Sequence, residues 1–309
     1  DTVWGWLVAL AEAAPGITAG PAPVVADAVA PALDAAPGEL PPARTYRGPQ
    51  TERWWIASYS AIRPEAGVSA GPEPQDVNDE IIAEASAPGP APTERPAPDT
   101  PHAFERGAAT GTFLHAVLES AAEEGFASAV TPPGGVIHRQ LAPGQLRRRW
   151  QDHTATLGDW LTQVVTTPLP LGTATPALTE LPPGRCRPEM AFLFPAHRVA
   201  TRELDALVSA HVHPGEPRPP LRDEQLNGML KGFIDLVFAH NGRYLLLDYK
   251  SDWLGPTDAS YDAPALRDKM LAGRQDVQYS FYLLALHRFL GLRLGDAYDP
   301  ASHCGGGAF

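Results

Sequence analysis

Two apolar runs separated by a single Asn-Gly pair form the clearest hydrophobic pattern in this chain. Residues 232–251 read GFIDLVFAHNGRYLLLDYKS, with β-branched, aromatic and leucine side chains on both sides of Asn241-Gly242. Asparagine and glycine tolerate the positive φ angles that a two-residue type I′ turn requires. The pattern therefore predicts a β-hairpin centred on this pair.

The two-residue turn also fixes which residues of the predicted hairpin lie opposite each other. His240 is expected to face Arg243, and counting outward from there places Asp235 opposite Asp248. Alternate side chains of a strand share a face, so Lys250 is expected on the face of Asp248. The pattern assigns to this face Phe233, Asp235, Val237, Leu246, Asp248 and Lys250. It assigns to the other face, predicted to be the core face, Ile234, Leu236, Phe238, Leu245, Leu247 and Tyr249.

Apolar residues at helical spacing predict helices on both sides of the hairpin. We expect helices over residues 1–14, 107–125, 145–164, 265–274 and 276–290, and a further strand over 187–195. The aromatic segment 52–62, ERWWIASYSAI, predicts a strand followed by a turn that anchors the chain to a neighbouring domain. Strands and helices mixed in this order predict an α/β fold.

A long polar stretch divides the chain. Residues 64–101 are acidic and rich in proline, alanine and glycine, a composition that cannot bury a core and predicts a linker. We therefore expect three parts: an amino-terminal region over 1–63, this largely irregular linker, and a catalytic domain over 102–309.

The amino-acid composition argues against several classes of protein. Cys186 and Cys304 are the only cysteines, too few for a disulfide framework, a zinc ribbon or a four-cysteine iron–sulfur cluster. No basic start typical of a secretory signal is present, and no apolar run approaches the roughly 20 residues that span a bilayer. We therefore expect a soluble intracellular protein without a membrane partner.

The net charge of −12 is unevenly distributed. Residues 1–100 hold 5 basic and 14 acidic residues, whereas residues 101–309 hold 19 and 22. Most of the acidic excess thus lies outside the predicted catalytic domain. Charge leaves DNA binding open and does not support it.

The predicted hairpin brings together two carboxylates and a lysine, which permits two interpretations. Oxygen ligands of this kind suit Mg²⁺ or Mn²⁺, and a neighbouring amine can orient water or neutralise charge on a phosphoryl group. This chemistry would be metal-dependent phosphodiester hydrolysis. The alternative is a structural ion pair between Asp248 and Lys250 on an exposed sheet face, and hairpin geometry alone does not separate the two.

Four other side chains also have a structural and a functional interpretation. His115 is a lone histidine on a predicted apolar helix, and Glu189 is either a surface charge or a site carboxylate. Gln278 and Tyr282 are four residues apart on one helix face, which is consistent with a simple hydrogen bond between them.

The order Asp235, then Asp248-Tyr249-Lys250, resembles the signature of the PD-(D/E)xK nucleases. Further blocks resemble one branch of this superfamily, the carboxy-terminal nuclease domain of RecB helicase–nuclease subunits. These blocks are RGAATGTFLH (106–115), GMLKGFIDLVF (228–238), GRYLLLDYKSDWLG (242–255) and QYSFYLLALHRFL (278–290). The segments WWIASYS (54–60) and YDPASHCGGGAF (298–309) are also similar to that family. WWIASYS resembles the segment just before the linker that joins helicase to nuclease, which implies that residues 1–63 are the end of a preceding helicase region.

The resemblance implies a restriction-endonuclease-like core, with a mixed central sheet flanked by helices. It implies that His115, Asp235, Asp248 and the backbone carbonyl of Tyr249 bind Mg²⁺, a position that Mn²⁺ or Ca²⁺ could also occupy. It gives Lys250 the role of the catalytic lysine. Two further residues are implied to lie beside the active site and the DNA strand, namely Gln278 and Tyr282.

At the scale of the whole protein, the resemblance implies a cytoplasmic bacterial enzyme that degrades DNA during double-strand-break repair and recombination. Its implied partners are single strands of a processed duplex and RecC-like and RecD-like subunits. The chain has no GxxxxGK[ST] phosphate loop. We therefore expect the ATP-dependent helicase in sequence ahead of this chain, and the nuclease domain to be cut short at its carboxy-terminal end.

Two alternatives remain for the function. One is a stand-alone nuclease with an iron–sulfur cluster, which the two cysteines disfavour. The other is a catalytically inactive PD-(D/E)xK module that serves DNA binding or complex assembly. An inactive copy is expected to have lost Asp235, Asp248 or Lys250, and all three are present.

Overall fold

The computed structural model describes residues 3–14, 20, 54–64, 95–142, 146, 148–169, 171, 176–182 and 184–308. The chain divides into one unit over Asp1–Gln50 and a second over Thr51–Phe309. In the first unit, helix α1 spans Val3–Ala13, which confirms the predicted amino-terminal helix. Most of the predicted linker, residues 65–94, lies outside the described residues.

The second unit contains a mixed sheet with helices around it, as the α/β prediction requires. Its strands are β1 (Trp55–Ala57), β2 (Cys186–Ala200), β3 (Gln225–His240), β4 (Arg243–Leu247) and β5 (Cys304–Ala308). Its α-helices are α2 (Tyr59–Ile62), α3 (Ala108–Glu124), α4 (Phe126–Ala129), α5 (Val136–Gln140), α6 (Thr154–Thr166), α7 (Thr201–His211), α8 (Ala263–Ala272), α9 (Gln275–Leu294) and α10 (Pro300–His303). Short 3₁₀ helices cover Pro101–Ala103, Arg148–His153, Leu178–Glu180, Asp258–Tyr261 and Gly295–Ala297.

Most predicted elements are confirmed, with corrections at their limits. Helices α3, α8 and α9 occupy the positions predicted for them. The single helix predicted over 145–164 is wrong, because a 3₁₀ helix comes first and α6 begins only at Thr154. Strand β2 is 15 residues long and extends beyond the predicted 187–195.

Strand β3 is the centre of the sheet. Strand β2 pairs with it in antiparallel orientation over nearly its whole length, from Gln225 to Phe238. Because β2 covers one edge of β3, β1 and β4 share the other edge: β1 lies parallel beside Gly228–Leu230, and β4 lies antiparallel beside Leu236–His240. Strand β5, which the sequence did not predict, extends the sheet parallel to β4.

The predicted hairpin turn is confirmed, but the pairing stops one step short of the acidic residues. Asn241 and Gly242 have φ angles of 49° and 78°, and the ladder runs from His240–Arg243 to Leu236–Leu247. The expected Asp235–Asp248 pair is therefore wrong as a ladder pair. The backbone N–H of Tyr249 donates to Asp235 Oδ2 at 2.6 Å, so a side chain takes a donor that would otherwise serve the ladder.

Both faces of the hairpin are buried, not only the predicted core face. One face packs its alternate residues Leu236, Phe238, Leu245 and Leu247 with helices that include α3 and α6. The opposite face packs Val237 and Leu246 with α9. Ile234 belongs to this second cluster, so its predicted face is wrong, and the simple alternation is interrupted at Asp235.

Candidate active site

Helix α3 carries His115 to the sheet. Leu114, Val117, Leu118 and Ala121 are buried on this helix and belong to the same core cluster as the α3-facing side of β3. These buried residues fix the rotation of the helix about its axis. His115 is therefore held against the sheet, with only 9% of its surface exposed. His115 has carboxylates as well as apolar groups for neighbours, so its role is not limited to packing in the core.

Strands β2 and β3 bring two carboxylates to that histidine. Pro188 pairs with Leu236 and Met190 with Ile234, so Glu189 lies across from Asp235. Glu189 has a φ angle of 45°, a left-handed conformation that is uncommon and costly for a residue other than glycine. The local break in β2 coincides with the break in side-chain alternation at Asp235.

The three side chains form a compact group of potential metal ligands. His115, Glu189 and Asp235 each offer one ligand atom, and these atoms lie within 4.8 Å of one another. His115 Nδ1 is 3.5 Å from Asp235 Oδ2, a distance for an ion pair rather than a good hydrogen bond. Glu189 Oε2 and His115 Nδ1 are both buried, and neither has a hydrogen-bond partner among the described residues.

This donor set fits a divalent cation. Buried polar atoms are normally satisfied, so two such atoms facing the same small space indicate a missing partner. One imidazole nitrogen and carboxylate oxygens form a hard ligand set of the kind that Mg²⁺ and Mn²⁺ accept, whereas structural zinc sites are closed by cysteine or several histidines. The group therefore has the ligand chemistry of a divalent-cation site.

The protonation of the metal-free site follows from the same geometry. Burial by itself lowers the pKa of His115, but the adjacent carboxylate of Asp235 and the charge of Asp248 outweigh it and raise the pKa to about 9. Burial, followed by the charges of Asp235 and Glu119, raises the pKa of Glu189 to about 7. In the metal-free site, protons bound to His115 and Glu189 therefore offset part of the negative charge of the carboxylates.

Asp248 and Lys250 lie beside this group. Beyond β4, the backbone N–H of Asp248 donates to the carbonyl of Ala308 at 3.1 Å, which ties this end of the hairpin to β5. Lys250 Nζ is 2.5 Å from Asp248 Oδ2 and donates to Gln278 Oε1 at 3.0 Å. The predicted closeness of the two side chains is therefore present, although residues 248–250 are not part of a strand.

Helix α9 supplies the other side of the lysine. Gln278 and Tyr282 are both 2% exposed, and Gln278 Nε2 donates to the Tyr282 hydroxyl at 2.9 Å. This hydrogen bond orients the amide so that its oxygen faces Lys250. The predicted pair thus lies beside the lysine, and its hydrogen bond is part of the site rather than an isolated surface contact.

Tyr249 faces away from the lysine, toward α3. Its ring meets the His115 ring edge-on at a centroid distance of 5.9 Å. Its hydroxyl is buried without a hydrogen-bond partner among the described residues, and burial raises the pKa of this phenol well above its ordinary value. The metal-ligand role of its backbone carbonyl stays a prediction.

Two groups of functional interest escaped the sequence interpretation. Glu119 lies one helical turn after His115, and burial together with Glu123 and Asp235 raises the pKa of its carboxyl. The spacing of four from His115 was the available signal. The second group is an ion-pair network around Arg274, directly before α9, for which the sequence offered no periodic signal.

The Arg274 network holds the start of α9. Arg274 is fully buried, with a φ angle of 60°, and its Nε lies 3.1 Å from Asp276 Oδ1. Its Nη1 is 2.7 Å from Asp205 Oδ1, and Arg218 Nη1 is 2.7 Å from Asp276 Oδ2. These contacts join α7 and the loop after it to the turn of α9 that precedes Gln278.

The chain is similar to known proteins over much of its length. A family model described as the PD-(D/E)XK nuclease superfamily matches residues 93–298. The RecBCD enzyme subunit RecB of Escherichia coli (strain K12) is 36% identical over 265 residues, which cover 85% of this chain and 21% of that protein. The RecB subunit of Haemophilus influenzae is 42% identical over 154 residues, covering 50% and 12%. That of Mycolicibacterium smegmatis is 30% identical over 323 residues, covering 92% and 28%.

These matches confirm the resemblance to RecB and the restriction-endonuclease-like fold class. The chain spans only 21% of the length of the E. coli relative, so the match concerns one part of such a subunit. Each helix that the structure describes is too short or too polar to span a bilayer. The chain belongs to the PD-(D/E)XK nuclease superfamily.

Proposed function

We propose that this chain is the metal-dependent DNA nuclease domain of a RecB-like helicase–nuclease subunit. The observation that carries the proposal is the buried group of His115, Glu189 and Asp235 beside the Asp248–Lys250 pair. It lies within the part of the chain that matches the nuclease superfamily. Such a combination of cation ligands and a positioned amine serves phosphodiester hydrolysis better than it serves a structural role.

The metal would be held by His115, Asp235 and Asp248, with Glu189 as a further carboxylate and the Tyr249 carbonyl completing the ligand set. Mg²⁺ is the proposed ion because the ligands are mainly oxygen atoms, and Mn²⁺ or Ca²⁺ would fit the same donors. When bound, such an ion supplies polarisation of a phosphoryl oxygen and a lowered pKa for water.

Lys250 is the proposed catalytic lysine. Asp248 and Gln278 together fix the position of its ammonium group, which can orient the attacking water or neutralise charge that develops on the phosphoryl oxygens. Gln278, held in turn by Tyr282, keeps the lysine beside the carboxylates. Restricting the amine in this way favours the reacting geometry over solvent-exposed alternatives.

The biological context is proposed from the relatives. Their printed name, RecBCD enzyme subunit RecB, describes one subunit of a larger assembly. We extend this to RecC-like and RecD-like partners and to single strands of a processed duplex as the substrate, in double-strand-break repair and recombination. The domain limits 1–63, 64–101 and 102–309 stay part of the proposal, with the helicase expected ahead of the chain.

The decisive test replaces Asp248 by alanine. We expect Asp248→Ala to lower Mg²⁺-dependent cleavage of single-stranded DNA by about 10²–10⁴-fold, because it removes a metal ligand and the partner of Lys250. Circular dichroism should show the fold retained. Asp159→Ala, a matched change at an exposed position of α6, is the control and should cleave normally. Wild-type activity in the Asp248→Ala variant would refute the assignment.

The inactive-module alternative is tested by the same assay. A chain that binds DNA but shows no metal-dependent cleavage, with its RecC-like and RecD-like partners present, would favour that alternative. Retention of Asp235, Asp248 and Lys250 argues against it, because an inactive module needs none of the three.

A further inference from the structure

Helix α9 carries Gln278 to Lys250 from a start that lacks the usual kind of cap. The residue before its first turn is Arg274, whose backbone is left-handed, with φ 60° and ψ 28°. Helices usually begin at Ser, Thr, Asp or Asn, whose side chains accept from a free N–H of the first turn. Arginine has no acceptor atom with which to do this. The start of α9 therefore depends on contacts with other elements.

Buried ion pairs supply these contacts. Arg274 is fully buried, and its guanidinium lies 2.7 Å from Asp205 of α7 and donates to the carbonyl of Pro219 at 2.9 Å. Asp276, in the first turn, is also fully buried and accepts from Arg218 at 2.7 Å and from Arg274 at 3.1 Å. A carboxylate in the first turn also interacts favourably with the helix dipole. The start of α9 is thus fixed relative to α7 and the loop after it.

A further contact comes from the segment ahead of residue 64. The hydroxyl of Tyr59 in α2 donates to the carbonyl of Gly273, directly before Arg274, and Tyr59 is only 2% exposed. Helix α2 is itself anchored, because the backbone N–H of Arg222 donates to the carbonyl of Ile62 at 3.2 Å. Tyr59 therefore holds the corner between α8 and α9 from the part of the chain that precedes the predicted linker.

The start of α9 is aligned with the residues that contact the lysine. Arg274, Gln278 and Tyr282 follow one another at intervals of four, so they lie along one side of the helix. All three are at most 2% exposed. Because Gln278 Oε1 accepts from Lys250 Nζ at 3.0 Å, a rotation or shift of the helix start would move this oxygen away from the ammonium group. A misplacement of about 1 Å can lower an enzymatic rate by about 10²-fold.

We propose that Tyr59, Arg274 and Asp276 are positioning residues for the cleavage reaction and act on Lys250 through Gln278. The ion pairs hold the start of α9, and the Tyr59 hydrogen bond holds the corner before it. The Gln278 oxygen therefore stays where it accepts from the lysine. The inference rests on the proposed nuclease function. It makes the segment ahead of residue 64 part of the structure that positions the proposed catalytic lysine.

Two conservative variants test the effect on the reaction. Tyr59→Phe removes the hydroxyl and keeps the ring in the core, whereas Arg274→Lys keeps the charge and loses the forked contacts. In the complete chain with Mg²⁺ and single-stranded DNA, we expect kcat to fall about tenfold in Tyr59→Phe and about 10²-fold in Arg274→Lys. KM should change by less than about twofold, because these variants disturb the lysine rather than the binding of the strand.

The matched control is a destabilising change in the same helix. Leu290→Ala removes a buried side chain from a later turn of α9 and leaves the contacts of the first turn in place. It should be at least as sensitive to urea as Tyr59→Phe and yet keep kcat within about twofold of the wild type. An equal fall of kcat in Leu290→Ala and Tyr59→Phe would mean that lost stability explains the effect, and would overturn the proposal.

A double-mutant cycle tests whether Tyr59 acts through Gln278. Gln278→Leu removes the amide that accepts from Lys250 and should lower kcat at least as much as Tyr59→Phe does. If Tyr59 acts through this amide, adding Tyr59→Phe to Gln278→Leu should lower kcat little further. Two losses that simply multiply would refute an action through Gln278.

NMR of the lysine side chains provides a readout that does not depend on cleavage. The chain has three lysines, Lys231, Lys250 and Lys269, so ¹³C-lysine labelling gives one ε-methylene signal for each, and Lys250→Arg identifies that of Lys250. In the metal-free protein, Tyr59→Phe and Arg274→Lys should shift the Lys250 signal and increase its mobility on the ps–ns timescale. The other two signals should stay unchanged, and Leu290→Ala should leave all three unchanged.

The two readouts separate this inference from the function on which it rests. A wild type that cleaves DNA, with an unchanged Lys250 signal in Tyr59→Phe and Arg274→Lys, would keep the nuclease and refute the positioning role. A wild type that does not cleave, yet shows the Lys250 response in both variants, would refute the nuclease. It would keep the finding that Tyr59 and Arg274 set the position of this lysine.

Discussion

At the scale of single residues, His115 and Glu189 keep their protons to higher pH than isolated side chains do. His115 and Glu189 both have raised pKa values, about 9 and about 7, in a group that also contains Asp235. A divalent ion bound there would displace these protons, since metal ligands must be deprotonated. Metal binding and proton release should therefore be coupled at neutral pH.

This coupling predicts the pH dependence of stability. The unfolded pKa values are near 4.5 for Glu189 and 6.5 for His115, below the folded values of about 7 and about 9. The folded state therefore binds more protons, and metal-free stability should fall as pH rises, first through Glu189 and then through His115 up to about pH 9. Urea unfolding in EDTA at pH 5, 7 and 9 measures this loss.

Two comparisons control that measurement. Saturating Mn²⁺ should remove most of the loss, because the ion replaces the protons that leave. The His115→Asn/Glu189→Gln variant should show a flatter dependence between pH 5 and 9. Metal-free stability of the wild type that rises between pH 7 and 9 would contradict the assigned protonation.

At the scale of elements, helix α9 depends on a buried charge network at its first turn. Arg274 is fully buried and contacts Asp205 and Asp276, so each partner neutralises the other within the protein interior. Removing one member of a buried ion pair leaves an uncompensated charge, which typically costs about 3–5 kcal/mol. The network should therefore matter more to stability than any surface ion pair of this chain.

We expect Arg274→Ala to lower the free energy of unfolding by about 3–5 kcal/mol, measured by urea denaturation. Arg202→Ala, on the exposed side of α7, should change it by less than about 0.5 kcal/mol. Arg274→Lys should recover only part of the loss, since one ammonium group cannot reproduce the forked contacts to two carboxylates. A loss in Arg274→Ala as small as that of the control would refute this role.

At the scale of the whole molecule, the sheet includes residues far ahead of the superfamily match. The match begins at residue 93, yet β1 pairs with Gly228–Leu230 and the segment up to Ile62 enters the core. Ala57, Tyr59 and Ile62 are each at most 3% exposed, and the Tyr59 hydroxyl donates to the carbonyl of Gly273, beside Arg274. The aromatic segment thus packs on the nuclease unit itself.

This packing predicts the result of truncation. A chain that starts at residue 95 loses the buried side chains of Tyr59 and Ile62 and exposes the edge of β3 that β1 covers. At about 1.5–3 kcal/mol for each large apolar side chain, we expect it to be less stable by about 3–6 kcal/mol. A chain that starts at residue 51 keeps β1 and α2 and should therefore be more stable in urea unfolding than the chain that starts at residue 95. Equal stability of the two truncations would contradict the contribution of this segment.

The amino-acid sequence alone determined the hairpin, its turn and most of its register, because those depend on local φ preferences and a period of two. It also determined which chemical groups meet near Lys250, through the order of the family's blocks. Glu189 could not be assigned, since its contribution depends on a left-handed backbone angle of 45° opposite Asp235.

Only the tertiary structure decided where the hairpin ends and what surrounds it. The side chain of Asp235 accepts a hydrogen bond from the N–H of Tyr249, so the pairing of β3 with β4 stops at Leu247. Asp235 and Asp248 are therefore not a cross-strand pair. Residues distant in sequence form the Arg274 network and the group of His115, Glu189 and Asp235. Such contacts carry no periodic signal, because long-range packing rather than local propensity brings their members together.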